Sequence, residues 1–99
     1  VQEIFGVNAH IRGVVERYAA HGWNAAAPLL FDLVAPGTEL DYDAAGVARG
    51  RELVAELGFE CALSIVDACA RTLAPGARAG VVGYCWGGSL ALLAATRLG

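Results

Sequence analysis

Residues 81–94, VVGYCWGGSLALLA, set a lone cysteine, Cys85, between Gly83 and Gly87, directly after a short apolar run and directly before a helix-forming segment. Ala79 to Tyr84 reads as a short strand, and Trp86 to Leu98 as a helix with Leu90, Leu93 and Ala94 on one side. Between them Gly83-Tyr84-Cys85-Trp86-Gly87 fits G-x-C-x-G, the cysteine form of the nucleophile elbow, at the strand-to-helix turn which that motif requires. Such a turn holds its nucleophile in strained backbone, and the flanking glycines remove side chains that would strike neighbouring chain. Unpaired N–H groups at the helix start favour a thiolate and the anionic intermediates it generates. Two other glycine motifs fail on spacing. A dinucleotide G-x-G-x-x-G begun at Gly80 meets Val82 at its second glycine position, and begun at Gly83 it meets Cys85. A phosphate loop from Gly83 to Gly88 has Ser89 where lysine is obligatory. On these residues alone, a core cysteine in an ordinary turn stays open as the alternative.

Upstream, Asn8 reads as an N-cap, and Ile11, Val14, Val15, Tyr18 and Ala19 recur at the spacing of one buried helical face, which predicts a helix over Ala9–His21 closed by Gly22. The apolar run Trp23–Leu30, bounded by Gly22 and Asp32, has the length of a buried parallel strand. Pro36, Gly37 and Thr38 mark a loop over Phe31–Asp43. Ala44–Leu73 reads as helical, broken near Gly58, and Pro75 and Gly76 end it. Val1, Gln2 and Glu3 look like the end of a further strand. This order predicts an α/β architecture, parallel strands alternating with helices that cover both faces of the sheet. Two or three parallel strands leave unpaired edges, so the expectation is a piece of a larger fold.

The chain has 99 residues, is 57% hydrophobic and carries a net charge of −3; its seven basic residues are arginines scattered along it, which argues against a nucleic-acid partner. No apolar run approaches the roughly 18 residues of a membrane span, and a cytoplasmic protein is expected. Cys61, Cys69 and Cys85 form no C-x-x-C pair and have no histidine at metal-ligand spacing, so neither a disulfide framework nor a metal is indicated. Cys61 and Cys69 share one expected helix, about 12 Å apart along its axis, and read as core residues. No organic cofactor is indicated.

The opening Val1-Gln2-Glu3-Ile4-Phe5-Gly6-Val7-Asn8 places an acidic residue at an apparent strand end, just before a capped helix. Together with Val81–Gly88 and the intervening Ala35-Pro36-Gly37-Thr38, it resembles the dienelactone hydrolase family (carboxymethylenebutenolidases) of the α/β-hydrolase fold, through essentially the whole chain. The resemblance implies a partial α/β-hydrolase fold, with residues 1–99 the central part of a single such domain, incomplete at both ends. It implies that Cys85 is the nucleophile and that Glu3 interacts with the resting thiol and helps to control its ionisation. It further implies an oxyanion hole from the backbone N–H groups of Ile4 and Trp86, and Phe5 lining the pocket. Trp86 departs from the small aliphatic residue of some members, which would narrow or reshape the acyl pocket. Arg49 and Arg51 lie where the family places an arginine that grips a substrate carboxylate, with the register open between that role and exposed helix positions.

The substrate implied is a small-molecule lactone or related carboxylic ester, cleaved by thiolate attack and release of an acyl-enzyme. The resemblance implies a Cys-His-Asp triad whose Asp and His follow the nucleophile, yet neither residue type occurs after Cys85. His10 and His21 precede it and read as surface or cap residues. The 99 residues alone are therefore expected to be inactive. Two other readings stand beside this one: a general carboxylesterase or acyl hydrolase on the same scaffold, and a non-catalytic α/β module with a buried or redox-sensitive cysteine.

Overall fold

Asn8 and Asp43 open the first two long helices by the same device. The Asn8 Oδ1 accepts from the Ile11 N–H at 3.1 Å and the Asp43 Oδ1 from the Gly46 N–H at 2.7 Å, satisfying donors that a helix start leaves orphaned. In the computed structural model, which describes residues 1–98, helix α1 spans Ala9–Ala20, α2 Ala44–Leu57, α3 Phe59–Leu73 and α4 Trp86–Arg97. Gly99, the last residue of the expected domain span, lies outside the described residues. Gly58, at φ 77°, ends α2 and starts α3, a backbone conformation that glycine adopts without a Cβ penalty. The helices thus lie where the apolar period and the capping residues put them.

The expected parallel sheet does not form. Trp23–Leu29 and 79–84 are irregular, Leu30–Leu33 is a short 3-10 turn, and among the described residues the β-pairing is one isolated antiparallel bridge between Gly6 and Glu39. The α/β fold class with alternating parallel strands is therefore corrected to a helical arrangement, and the elbow is a coil-to-helix turn. The reason is visible in what the apolar runs touch. A parallel strand is buried on both faces and laddered on both edges, whereas Trp23 is 67% exposed and Val82 43%. The helices pack on one another, α3 against α4 and α2, rather than on two sides of a sheet. One trace of parallel register remains: the Val1 ammonium donates to the Val82 carbonyl, and the Tyr84 N–H donates to the Val1 carbonyl at 3.3 Å, which sets Val1 opposite Gly83.

The core lies between α2, α3, α4 and the 3-10 turn, around Leu30, Phe31, Leu53, Leu63, Trp86 and Leu90. Leu30, Leu53 and Leu90 are wholly buried. Cys61 is half-buried against this core and Cys69 is half-buried, so both are less enclosed than expected. Arg97 closes α4 onto the first turn of α3 through two bonds to Glu60, at 2.7 and 3.1 Å. That hydrogen bond and charge hold the Glu60 carboxyl below its ordinary range. The link is thus intact at neutral pH and is lost as pH falls through that lowered value, with little stability attached because both side chains face solvent. Among the described residues no helix is long and apolar enough to cross a membrane.

Leu53→Ala is expected to cost about 2–5 kcal/mol in urea unfolding, since the cavity it leaves is closed on all sides. Leu92→Ala, at a position 67% exposed, is expected to stay within about 0.5 kcal/mol.

Candidate functional site

Cys85 sits at φ 57°, ψ −119°, directly before the first residue of α4, and it is the one non-glycine with positive φ among the described residues. A side chain there is held in a conformation that L-residues avoid, and it persists because its surroundings over-determine it. Gly83 and Gly87 supply that constraint. A Cβ on Gly83 would strike the Gly87 carbonyl, and a Cβ on Gly87 would strike the carbonyls of Val1 and Gln2. The Gly87 N–H donates to the Tyr84 carbonyl and the Gly88 N–H to the Cys85 carbonyl, both at 2.9 Å, which closes the turn. The thiol is exposed, unlike those of Cys61 and Cys69.

The close approach at Gly87 carries a second consequence: it seats the N-terminal segment against the elbow. Gln2, 1% exposed, anchors that segment by accepting from the Leu30 N–H at 3.2 Å through Oε1 and donating to the Glu3 carbonyl at 3.1 Å through Nε2. A buried amide with both ends bonded is a fixed strut. On the other side, Gly50 of α2 admits the Ile4 carbonyl, which a Cβ there would meet at 2.5 Å. Val1–Ile4 is thereby wedged between the start of α4, which Val1 and Gln2 meet, and the middle of α2, which Ile4 meets. Gln2 was not singled out from sequence, and a glutamine in a short apolar stretch carries no signal of burial.

Glu3 is half-buried, and its Oε1 accepts from the Tyr42 hydroxyl at 2.7 Å. Asn8 donates through Nδ2 to that same hydroxyl oxygen at 2.9 Å. Phe5 is half-buried and meets the Tyr42 ring edge-on at 4.4 Å. Tyr42 is 60% exposed; desolvation first, and then the bond to Glu3, raise its phenol above the ordinary value of 10. The hydroxyl therefore stays protonated, as a donor, through neutral pH. Sequence reasoning missed Tyr42, since a loop tyrosine between two aspartates reads as solvated.

Trp86 opens α4, so its N–H is among the four that no intrahelical acceptor satisfies. Its indole is buried in the core, stacked on Phe31 at 5.6 Å and tilted to Phe59 at 6.4 Å, with Nε1 unbonded among the described residues. The side chain expected to narrow or reshape an acyl pocket thus lies in the core cluster. Arg49 is exposed on α2 and pairs with Glu52 at 3.0 Å. His10 lies edge-on to Tyr84 at 5.5 Å, and His21 caps α1 beside the Arg17 carbonyl at 2.8 Å.

The model of the dienelactone hydrolase family matches residues 1–99, from the Glu3 segment through the elbow. The chain belongs to this family. A protein of Synechocystis sp. is 40% identical to this dienelactone hydrolase family chain over 102 residues, covering 97% of the chain and 41% of the relative. The carboxymethylenebutenolidases of Pseudomonas putida and Cupriavidus pinatubonensis are 36% and 38% identical, each over 97% of the chain and 43% of the relative. The chain thus spans well under half the length of these relatives. No solved structure matches it.

Gly87→Ala is expected to destabilise the protein by about 1–3 kcal/mol, because the new methyl meets backbone that has little room to yield. Gly80→Ala, where a Cβ meets nothing within 4 Å, is expected to be near neutral in the same thermal melt.

Proposed function

We propose that the protein to which these residues belong hydrolyses a lactone or related carboxylic ester, with Cys85 as nucleophile, and that residues 1–99 form the central part of its single catalytic domain. The observation that carries this reading is the exposed, positive-φ Cys85 held at a helix start by two glycines that tolerate no side chain. The names of the Pseudomonas and Cupriavidus relatives support the substrate class, an enol-lactone bearing a carboxylate.

In this reading the Cys85 thiolate attacks the acyl carbonyl and forms the carbon–sulfur bond, and the carbonyl electron pair moves onto oxygen. The N–H groups of Trp86 and Ile4 receive that oxyanion. Collapse expels the alkoxide or enolate, which takes up a proton, and water then cleaves the thioester to release the acid and the thiol. The departing oxygen needs a proton donor and the attacking water needs a base, roles that one histidine fills in turn, as donor when protonated and as base when neutral. His21 is bonded back onto α1, His10 rests edge-on to Tyr84, and neither follows the nucleophile in the chain, so the reading assigns the base and its aspartate partner to the rest of the protein and leaves these 99 residues inactive by themselves. In this reading Glu3 tunes the thiol through its negative charge, which opposes ionisation of a neighbouring group. Phe5 lines the pocket. A small-molecule substrate is the partner required, and three free thiols, one of them a nucleophile, fit a reducing cytoplasmic compartment.

In the whole protein, Cys85→Ala is expected to lower kcat/KM for a carboxylate-bearing enol-lactone by at least about a thousandfold with binding retained. Unchanged turnover would remove Cys85 from the mechanism. Equal activity on neutral esters with none on the lactone would shift the assignment to a general carboxylesterase. Alkylation of Cys85 at the rate of an unperturbed thiol would support the non-catalytic reading.

A further inference from the structure

We propose that Tyr42 is a positioning residue for Glu3: its hydroxyl, oriented by Asn8, holds one carboxylate oxygen and so limits the influence of Glu3 on Cys85. This rests on the reading above, in which Glu3 governs the thiol's ionisation.

The argument is the geometry around the phenol. Asn8 uses both ends of its side chain, Oδ1 to cap α1 at the Ile11 N–H and Nδ2 to donate to the Tyr42 oxygen at 2.9 Å. Because its Oδ1 is taken by the cap, the amide can present only a donor to Tyr42. The phenolic proton is thereby directed outward, and Glu3 Oε1 receives it at 2.7 Å. Asn8 is 8% exposed, so the relay starts from a fixed group.

The loop that carries Tyr42 is braced independently of that bond. The Leu40 N–H donates to the Phe5 carbonyl at 2.9 Å, and Gly6, at φ 89°, admits the Thr38 carbonyl where a Cβ would collide. Glu39 pairs with Arg12 at 2.8 Å, Asp43 caps α2, and the Tyr42 ring rests on Phe5. Glu39 and Asp43 are thus engaged elsewhere, and the phenol is the side-chain donor that the structure gives to Glu3. A carboxylate that accepts a hydrogen bond has part of its charge offset, and its rotamers are restricted. Removing the hydroxyl leaves the full charge free to oppose thiolate formation.

The test measures the pH dependence of Cys85 alkylation by iodoacetamide in the whole protein, read peptide by peptide in mass spectrometry so that Cys61 and Cys69 do not contribute. Tyr42→Phe keeps the ring on Phe5 and is expected to raise the apparent Cys85 pKa by about half a pH unit, seen as roughly threefold slower alkylation below it. Glu3→Gln is expected to move the profile the opposite way, and the double variant to follow Glu3→Gln alone. A Tyr42→Phe profile that superimposes on the parent's or lies below it, while Glu3→Gln still moves, overturns the positioning role and leaves the Glu3 reading standing. An equal rise on the Glu3→Gln background also overturns it, because the hydroxyl then acts on the thiol without Glu3. If Glu3→Gln itself changes nothing, the Glu3 reading fails and the role of Tyr42 falls with it.

Discussion

The carbonyls of Val1 and Gln2 lie where a side chain on Gly87 would have to be. That single close approach ties two segments 85 residues apart, and the rest of the site follows from it. Val1 can meet Val82 and Tyr84 because Gly87 leaves room. Gln2 can reach Leu30 only because its backbone is already pressed against the start of α4. The positive φ of Cys85 is the local counterpart of this constraint: a tight turn into α4 is required, and the residue at its apex takes the strain. Strain of this kind persists only where the surroundings over-determine it, and the side chain it displays here, the Cys85 thiol, is exposed.

A second layer of contacts runs around the acidic residue. Gly6 and Gly50 play the same part for the following residues that Gly87 plays for the first two, admitting the Thr38 and Ile4 carbonyls at separations closed to any larger residue. The loop over 37–43 is therefore drawn onto Phe5 and Gly6, and Tyr42 arrives beside Glu3. The helix cap at Asn8 and the hydrogen bond to Glu3 are joined through one phenolic oxygen. Secondary structure and site electrostatics share a residue, so the start of α1 and the setting of Glu3 cannot vary independently.

The four helices were legible because each announces itself locally. Asn8 and Asp43 accept from N–H groups three residues on, Gly58 breaks the long segment at a positive φ, and apolar residues at helical spacing face one side. The strands were misread because an apolar run such as Trp23–Leu30 states only that burial is wanted. Whether it becomes a strand depends on partners for its N–H and C=O groups, and those are not adjacent to it in sequence. The same limit applies to side chains: from its position beside Cys85, Trp86 reads as a residue that narrows or reshapes a pocket, and its stacking on Phe31, 55 residues earlier, is recorded by no local pattern.

The sequence by itself determined the helices, the elbow motif, the pairing of that motif with the Glu3 segment, and the family these imply. All of these depend on residues near one another in the chain or on which residue types occupy fixed motif positions. The tertiary structure alone decided that Gln2 is a buried strut, that Tyr42 holds Glu3, and that the apolar runs stay unladdered. Each of these depends on which atoms meet across long stretches of chain, and such meetings are set by the packing of the whole rather than by any local pattern.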